Sequence, residues 1–123
     1  MRIVIASGDT DLRLAIQLML SEEPGIQIIG SASNMEGLLA FIKSTRPDWV
    51  LMDWDLPDSK KDQNRSDIFT LKSESKTKLI VLGQQISQRD SAIQCGADEF
   101  AVIGDPPENL LKVIRKLNTL TET

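Results

Sequence analysis

The sequence has no histidine and no tyrosine, and its single cysteine is Cys95. Without histidine, Ser-His and Cys-His nucleophile pairs are excluded, as are zinc sites of the usual kind. A lone cysteine cannot close an internal disulfide, so the expected compartment is the cytoplasm. Cys95 precedes Gly96 at an expected helix end, where packing is its expected role. No apolar run is long enough to span a bilayer. Met1-Arg2-Ile3-Val4-Ile5-Ala6 goes straight into a strand and lacks a signal-peptide layout. Positive charge is also scarce: 14 Lys and Arg face 18 Asp and Glu, a net charge of −4. That balance argues against direct nucleic-acid binding by this domain.

What is present fits one domain over residues 1–123, with 41% hydrophobic residues and enough chain to bury a core. Strands are expected at 2–6, 27–31, 49–52, 78–82 and 100–103, from short β-branched or apolar runs. Between the first two, Leu12, Ala15, Ile16, Met19 and Leu20 share one helical face, and Pro24-Gly25 ends that helix. Ser33-Asn34-Met35-Glu36 has capping-box spacing, and Met35, Leu38, Leu39 and Ile42 continue a second helix. Ser87-Gln88-Arg89-Asp90 can cap a helix that stops at Gly96. Asp105-Pro106-Pro107-Glu108 starts a last helix carrying Leu110, Leu111, Val113, Ile114 and Leu117. The stretch 57–67 is almost wholly polar, so a long loop is expected there. A short or displaced helix should follow, with only Ile68, Phe69 and Leu71 as its apolar face.

Strands alternating with helices predict a doubly wound α/β fold, a parallel sheet with helices on both faces and right-handed crossovers. Such folds place ligand chemistry at the carboxyl ends of the strands. Here those ends are Ser7-Gly8-Asp9, Asp53 to Asp55, Gly83-Gln84 and Ile103-Gly104. Asp53 stands out, a carboxylate just past the buried run Trp49-Val50-Leu51-Met52.

These residues carry a resemblance over essentially the whole chain. Val-Leu-Met-Asp-Trp-Asp-Leu-Pro around Asp53, Gly96-Ala97-Asp98-Glu99-Phe100, and Gly104-Asp105-Pro106-Pro107-Glu108-Asn109-Leu110-Leu111 resemble the receiver domain of two-component response regulators. The later two segments look most like receivers that precede helix-turn-helix output domains. The resemblance implies a flavodoxin-like five-stranded sheet of order 2-1-3-4-5. It implies a non-enzymatic module of phosphorelay signal transduction, and it makes Asp53 the phosphoacceptor. It also implies Mg²⁺, held by that aspartate, an acidic residue after the first strand, and a backbone carbonyl that falls at Asp55. The family's partners are sensor histidine kinases or other signalling proteins. Its dimer surface is the face of the fifth strand and the two helices flanking it, where Ile93, Ala101 and Leu111 lie.

The rest of the family's chemistry is replaced. The acidic pair after the first strand aligns with Ser7 and Gly8, the hydroxyl residue after the fourth with Gly83, and the lysine after the fifth with Ile103. The aromatic switch position is filled by Phe100. The expectation is therefore an atypical receiver that works by protein contact, with Asp53 phosphorylated poorly or not at all. An alternative is a working receiver with altered metal ligation through Asp53, Asp55 and the one-residue-late Asp9. A more distant one is a flavodoxin-like flavin or nucleotide binder using Ser7-Gly8-Asp9-Thr10, which lacks a phosphate-loop pattern.

Plainer roles stand beside these. Asp53 can be a strand-end cap, Asp9 a helix cap, Asp55 a solvated turn residue, and Trp54 a partly buried side chain. Lys60, Lys61 and Arg65 could fold back on Asp53 and imitate a charge-neutralised state, though a solvated loop is the plainer expectation. Both a stand-alone domain and a piece of a longer regulator fit the sequence.

Overall fold

A computed structural model describes residues 1–56, 76–103 and 107–121, the side chains of 107 and 119–121 excepted. The loop at 57–67, the helix expected at 68–71, the cations Lys60, Lys61 and Arg65, and the cap Asp105 lie outside the described residues. In chain order the elements are β1 (Arg2–Ala6), α1 (Thr10–Ser21), β2 (Gln27–Ala32), α2 (Met35–Thr45), β3 (Trp49–Asp53) and β4 (Lys78–Gly83). A 3₁₀ turn (Ile86–Gln88), α3 (Arg89–Gln94), β5 (Glu99–Val102) and α4 (Pro107–Thr121) follow.

The five strands form one parallel sheet of order β2-β1-β3-β4-β5, as the resemblance implied. Alternation along the strands builds a core on each face. Val4, Val50, Met52 and Val81 face Met35, Leu38 and Ile42 of α2 and Ala92 of α3. Ile3, Ile5, Leu51 and Ile80 face Ile16 and Leu20 of α1 and Ile114 and Leu117 of α4. Burial of each such side chain is worth about 1.5–3 kcal/mol. The central strand β3 is covered on both faces, which explains its unbroken apolar run.

Element boundaries differ from expectation at a few caps. The N-cap of α2 is Asn34, whose side chain accepts from Gly37 N, rather than Ser33. Both residues can cap, and the side chain that reaches the free N–H decides. Ser87 lies inside the 3₁₀ turn and caps nothing; α3 begins at Arg89. Gly96 ends that segment as expected, at φ 110, a left-handed backbone that glycine adopts without strain.

One ion pair ties α4 to the turn after α1. Arg115 donates through Nε at 3.0 Å and Nη2 at 2.6 Å to the Glu23 carboxylate. Asn118 Nδ2 adds a bond to the Pro24 carbonyl. The hydrogen bonds from Arg115 hold the Glu23 carboxyl below the usual glutamate range, its charge acts the same way, and burial opposes both. Because the folded value is depressed, the stabilisation is fully present above the unfolded-state value and fades as pH falls through the folded one. Thermal melts of wild type and Glu23→Gln should therefore differ near neutral pH and converge in acid. A constant gap across that range would show that the pair contributes nothing.

Candidate functional site at the carboxyl edge of the sheet

Asp53 ends β3 and is 9% exposed. Both of its oxygens are engaged. Oδ2 accepts from the Ser7 hydroxyl at 3.1 Å, and Oδ1 accepts from the Asp55 backbone N–H at 3.1 Å. Ser7, just past β1, is 1% exposed, and its Oγ also accepts from the Asp9 N–H at 3.0 Å. Arg13, one turn into α1, donates through Nη1 to the Ser7 carbonyl at 2.6 Å. The β1–α1 turn is thus knitted to the end of β3 through one hydroxyl.

Asp9 is not drawn toward Asp53. Its carboxylate caps α1 by accepting from Leu12 N at 3.2 Å. That bond fills an N–H which a phosphate would otherwise use, so the nucleotide-loop reading of Ser7-Gly8-Asp9-Thr10 has no support here. Gly8 is exposed and brings no ligand atom beyond its backbone. Asp55 is exposed in the turn after β3, and it is its N–H, not its carboxylate, that meets Asp53. Among the described residues, no group of three or more His, Cys, Asp or Glu side chains could hold a metal ion. The side chains of Asp9, Asp53 and Asp55 therefore do not gather around one point.

The β4–β5 side of the edge is built differently from expectation. Gly83 is more than a missing hydroxyl. A Cβ built on it would lie 2.4 Å from Phe100 Cζ and 2.8 Å from Gln88 Oε1. The Phe100 ring, packed against the core on the α2 side, occupies the space a side chain at 83 would need. Gln88 folds over the same spot, its Oε1 accepting from Gln84 N at 2.8 Å and Gln85 N at 3.2 Å. Ile103, in place of the lysine, is half-buried against the α1–α4 core, and its N–H bonds the Gly83 carbonyl at 2.6 Å. Sequence reading missed Arg13, Gln88 and the fit of Phe100 into Gly83. Only the polar cluster at Ser87-Gln88 hinted at any of these.

No family model matches the chain. The Bacillus subtilis uncharacterized transcriptional regulatory protein YhcZ is 29% identical over 114 residues, which is 91% of this chain and 52% of that protein. The receiver domain of the putative response regulator NarL from Mycobacterium tuberculosis superposes with a TM-score of 0.82 at 20% identity, covering 96% of this chain and 95% of that one. The fold is that of a response-regulator receiver domain. The isolated receiver domain of RcsB from Salmonella enterica serovar Typhimurium, solved with the phosphomimetic BeF₃⁻, agrees at a TM-score of 0.85 and 16% identity, covering 97% of this chain and 88% of that one. The chain spans about half the length of the curated regulator it matches. Among its described residues no helix is long and apolar enough to cross a membrane.

Proposed function

We propose that this receiver domain signals by protein contact, with Asp53 kept as a structural residue rather than as a phosphoacceptor. The observation that carries the reading is the Ser7–Asp53 hydrogen bond. It puts a neutral hydroxyl on the oxygen that a phosphoryl group or a metal would need. Attack by a carboxylate on a phosphoryl donor brings like charges together, and some cation must offset them. Ser7, Gly8, Gly83 and Ile103 offer none. Elsewhere this chain uses aspartates as backbone caps: Asp48 accepts from Arg2 N, Asp98 from Leu79 N, and Asp9 from Leu12 N. Asp53 on Asp55 N follows the same habit.

The proposed partner is a sensor kinase or another signalling protein, received on the face where α3 and the preceding turn flank β5. Ile86 and Ile93 there are 68% and 39% exposed. Transcriptional regulation by a longer protein, as the name of the Bacillus relative suggests, is part of the same proposal.

The deciding experiment incubates the domain with Mg²⁺ and a small acyl-phosphate donor and reads intact mass, with Asp53→Asn as control. No phosphoryl addition is expected. Stoichiometric, Mg²⁺-dependent addition that disappears in Asp53→Asn would overturn the reading and favour a working receiver with other metal ligands.

A further inference from the structure

Charge is sorted between the two edges of the sheet. The carboxyl edge carries Asp9, Asp53 and Asp55, whereas the amino edge, away from the candidate site, gathers cations. There β1, β3 and β4 start side by side. Arg2 opens β1 and Lys78 opens β4, two strand spacings or about 10 Å apart. Between them Asp48 precedes β3. Its carboxylate accepts from Arg2 N at 2.8 Å, and its carbonyl accepts from Lys78 N at 3.0 Å. Lys76 leads into β4. The helix α2 ends at the same edge, with Lys43 in its last turn and Arg46 as its C-cap. Arg2, Lys43, Arg46, Lys76 and Lys78 are all exposed. Among the described residues, none of these cations enters an ion pair.

Arg46 is the informative member of this group. Among the described residues it is the non-glycine residue at positive φ, with φ 47 and ψ 64. Helices that end in this left-handed conformation usually place glycine there, sometimes asparagine, because a Cβ is strained. What the fold uses of Arg46 is its main chain. Its N–H donates to the Ile42 carbonyl at 3.0 Å, and its carbonyl accepts from Arg2 Nη1 at 3.4 Å. Neither bond needs the guanidinium. Strain kept at an exposed residue points to a use for its side chain.

We propose that the amino edge is a docking surface for an acidic segment of a partner protein, whose carboxylates meet Arg2, Arg46, Lys76 and Lys78. The arginine fork pairs with a carboxylate through two parallel bonds, and the flexible lysines adjust to its spacing. Opposite charge also steers the two proteins together before contact. A nucleic acid fits this surface less well. Its phosphates follow one another closely, and the Asp48 carboxylate in the middle of the patch repels them. Trp49, beside the patch, is 5% exposed and offers no face for base stacking. The net charge of −4 opposes the approach of a long polyanion. A peptide, by contrast, can set a neutral residue opposite Asp48. The surface lies at the far end of the strands from Asp53, so docking there does not depend on whether Asp53 is phosphorylated.

The test is fluorescence anisotropy with a labelled oligoglutamate of about eight residues, about 25 Å when extended and so able to cross the patch. Oligoglutamine of the same length is the neutral control, and a single-stranded oligonucleotide of equal charge is the nucleic-acid arm. Oligoglutamate should bind at about 50 mM salt and be released by about 0.5 M, as screening requires. Oligoglutamine should not bind. Arg46→Asn should weaken binding about two- to fivefold. It should melt no lower than wild type, because asparagine suits the left-handed cap. An arginine kept for structure would show the reverse, a lower melting temperature with binding unchanged. The pair Lys76→Gln and Lys78→Gln should remove most of the binding. The pair Arg89→Gln and Lys112→Gln, near the starts of α3 and α4, should bind as wild type. Amide shifts on adding the peptide should centre on Arg2, Arg46 and residues 76–78. Absence of binding at low salt overturns the proposal. So does binding that survives both Arg46→Asn and the Lys76, Lys78 pair, or that the Arg89, Lys112 pair weakens equally. An oligonucleotide that binds more tightly than oligoglutamate would assign the patch to nucleic acid and overturn it as well.

Discussion

Asp53→Ala is expected to destabilise the domain by about 2 kcal/mol, because it strands a buried donor. The Ser7 hydroxyl is 1% exposed and gives its hydrogen to Asp53 Oδ2. With alanine at 53, that hydrogen faces a small void and no water reaches it readily. The Asp55 N–H loses its acceptor too, but it lies in an exposed turn where water substitutes. Asp53→Asn should cost less than about 1 kcal/mol, since an amide oxygen still serves Asp55 and its NH₂ can donate to Ser7 Oγ. The sign is diagnostic. In a site where several carboxylates crowd to hold a metal, removing one relieves repulsion, and the apo protein gains stability. Here no such crowd exists among the described residues, so both substitutions should lose stability or leave it unchanged. Urea unfolding of wild type, Ser7→Ala, Asp53→Ala and the double variant measures the coupling directly. An Asp53→Ala domain more stable than wild type, or a coupling near zero, would remove the structural role argued for Asp53.

The fold was largely legible in the sequence, and for definite reasons. β3 is apolar at every position from Trp49 to Met52, which marks a strand covered on both faces. The helix stripe Leu12, Ile16, Met19 and Leu20 omits Leu14 and Leu18, and those two are the residues that stay exposed. The strand order came with the resemblance, since periodicity does not encode which strands are neighbours. The site was legible only as a set of replacements. Ser7 reads as a lost carboxylate until β1 is placed beside β3, which makes it the hydrogen-bond partner of a residue 46 positions away. Gly83 reads as a lost hydroxyl until the β4–β5 register sets Phe100 opposite Val81, diagonal to Gly83 on the same face. Such meanings belong to the sheet's register, not to any local stretch of sequence.

That diagonal makes Gly83→Thr the second large effect expected. A Cβ at 83 would come within 2.4 and 2.6 Å of Phe100 ring carbons and 2.8 Å of Gln88 Oε1. No real Cβ tolerates such contacts, so the ring, the Gln88 side chain, or both must leave. Gln88 can move cheaply, because the Gln84 and Gln85 N–H groups it serves are exposed and water can take its place. Phe100 is the costlier partner. It lies half-buried on an edge strand, so its ring can swing toward solvent, but only by giving up its contact with the core. The expected loss is about 1–3 kcal/mol, the usual range for overpacking. Gly83→Ala should show most of it, because the clash begins at Cβ rather than at the hydroxyl. In a Phe100→Ala background the same substitutions should become nearly neutral, a strong coupling between two residues that pair with different partners in the ladder. Fluorine-labelled phenylalanine and denaturant unfolding read the ring's movement and the energy separately. If Gly83→Ala were tolerated with the Phe100 resonance unmoved, the ring would not depend on glycine at 83. In the opposite case, the position of Phe100 in this domain is set by packing alone. A hydroxyl that could pull it in or release it is missing, and the room that hydroxyl would need is filled by the ring itself.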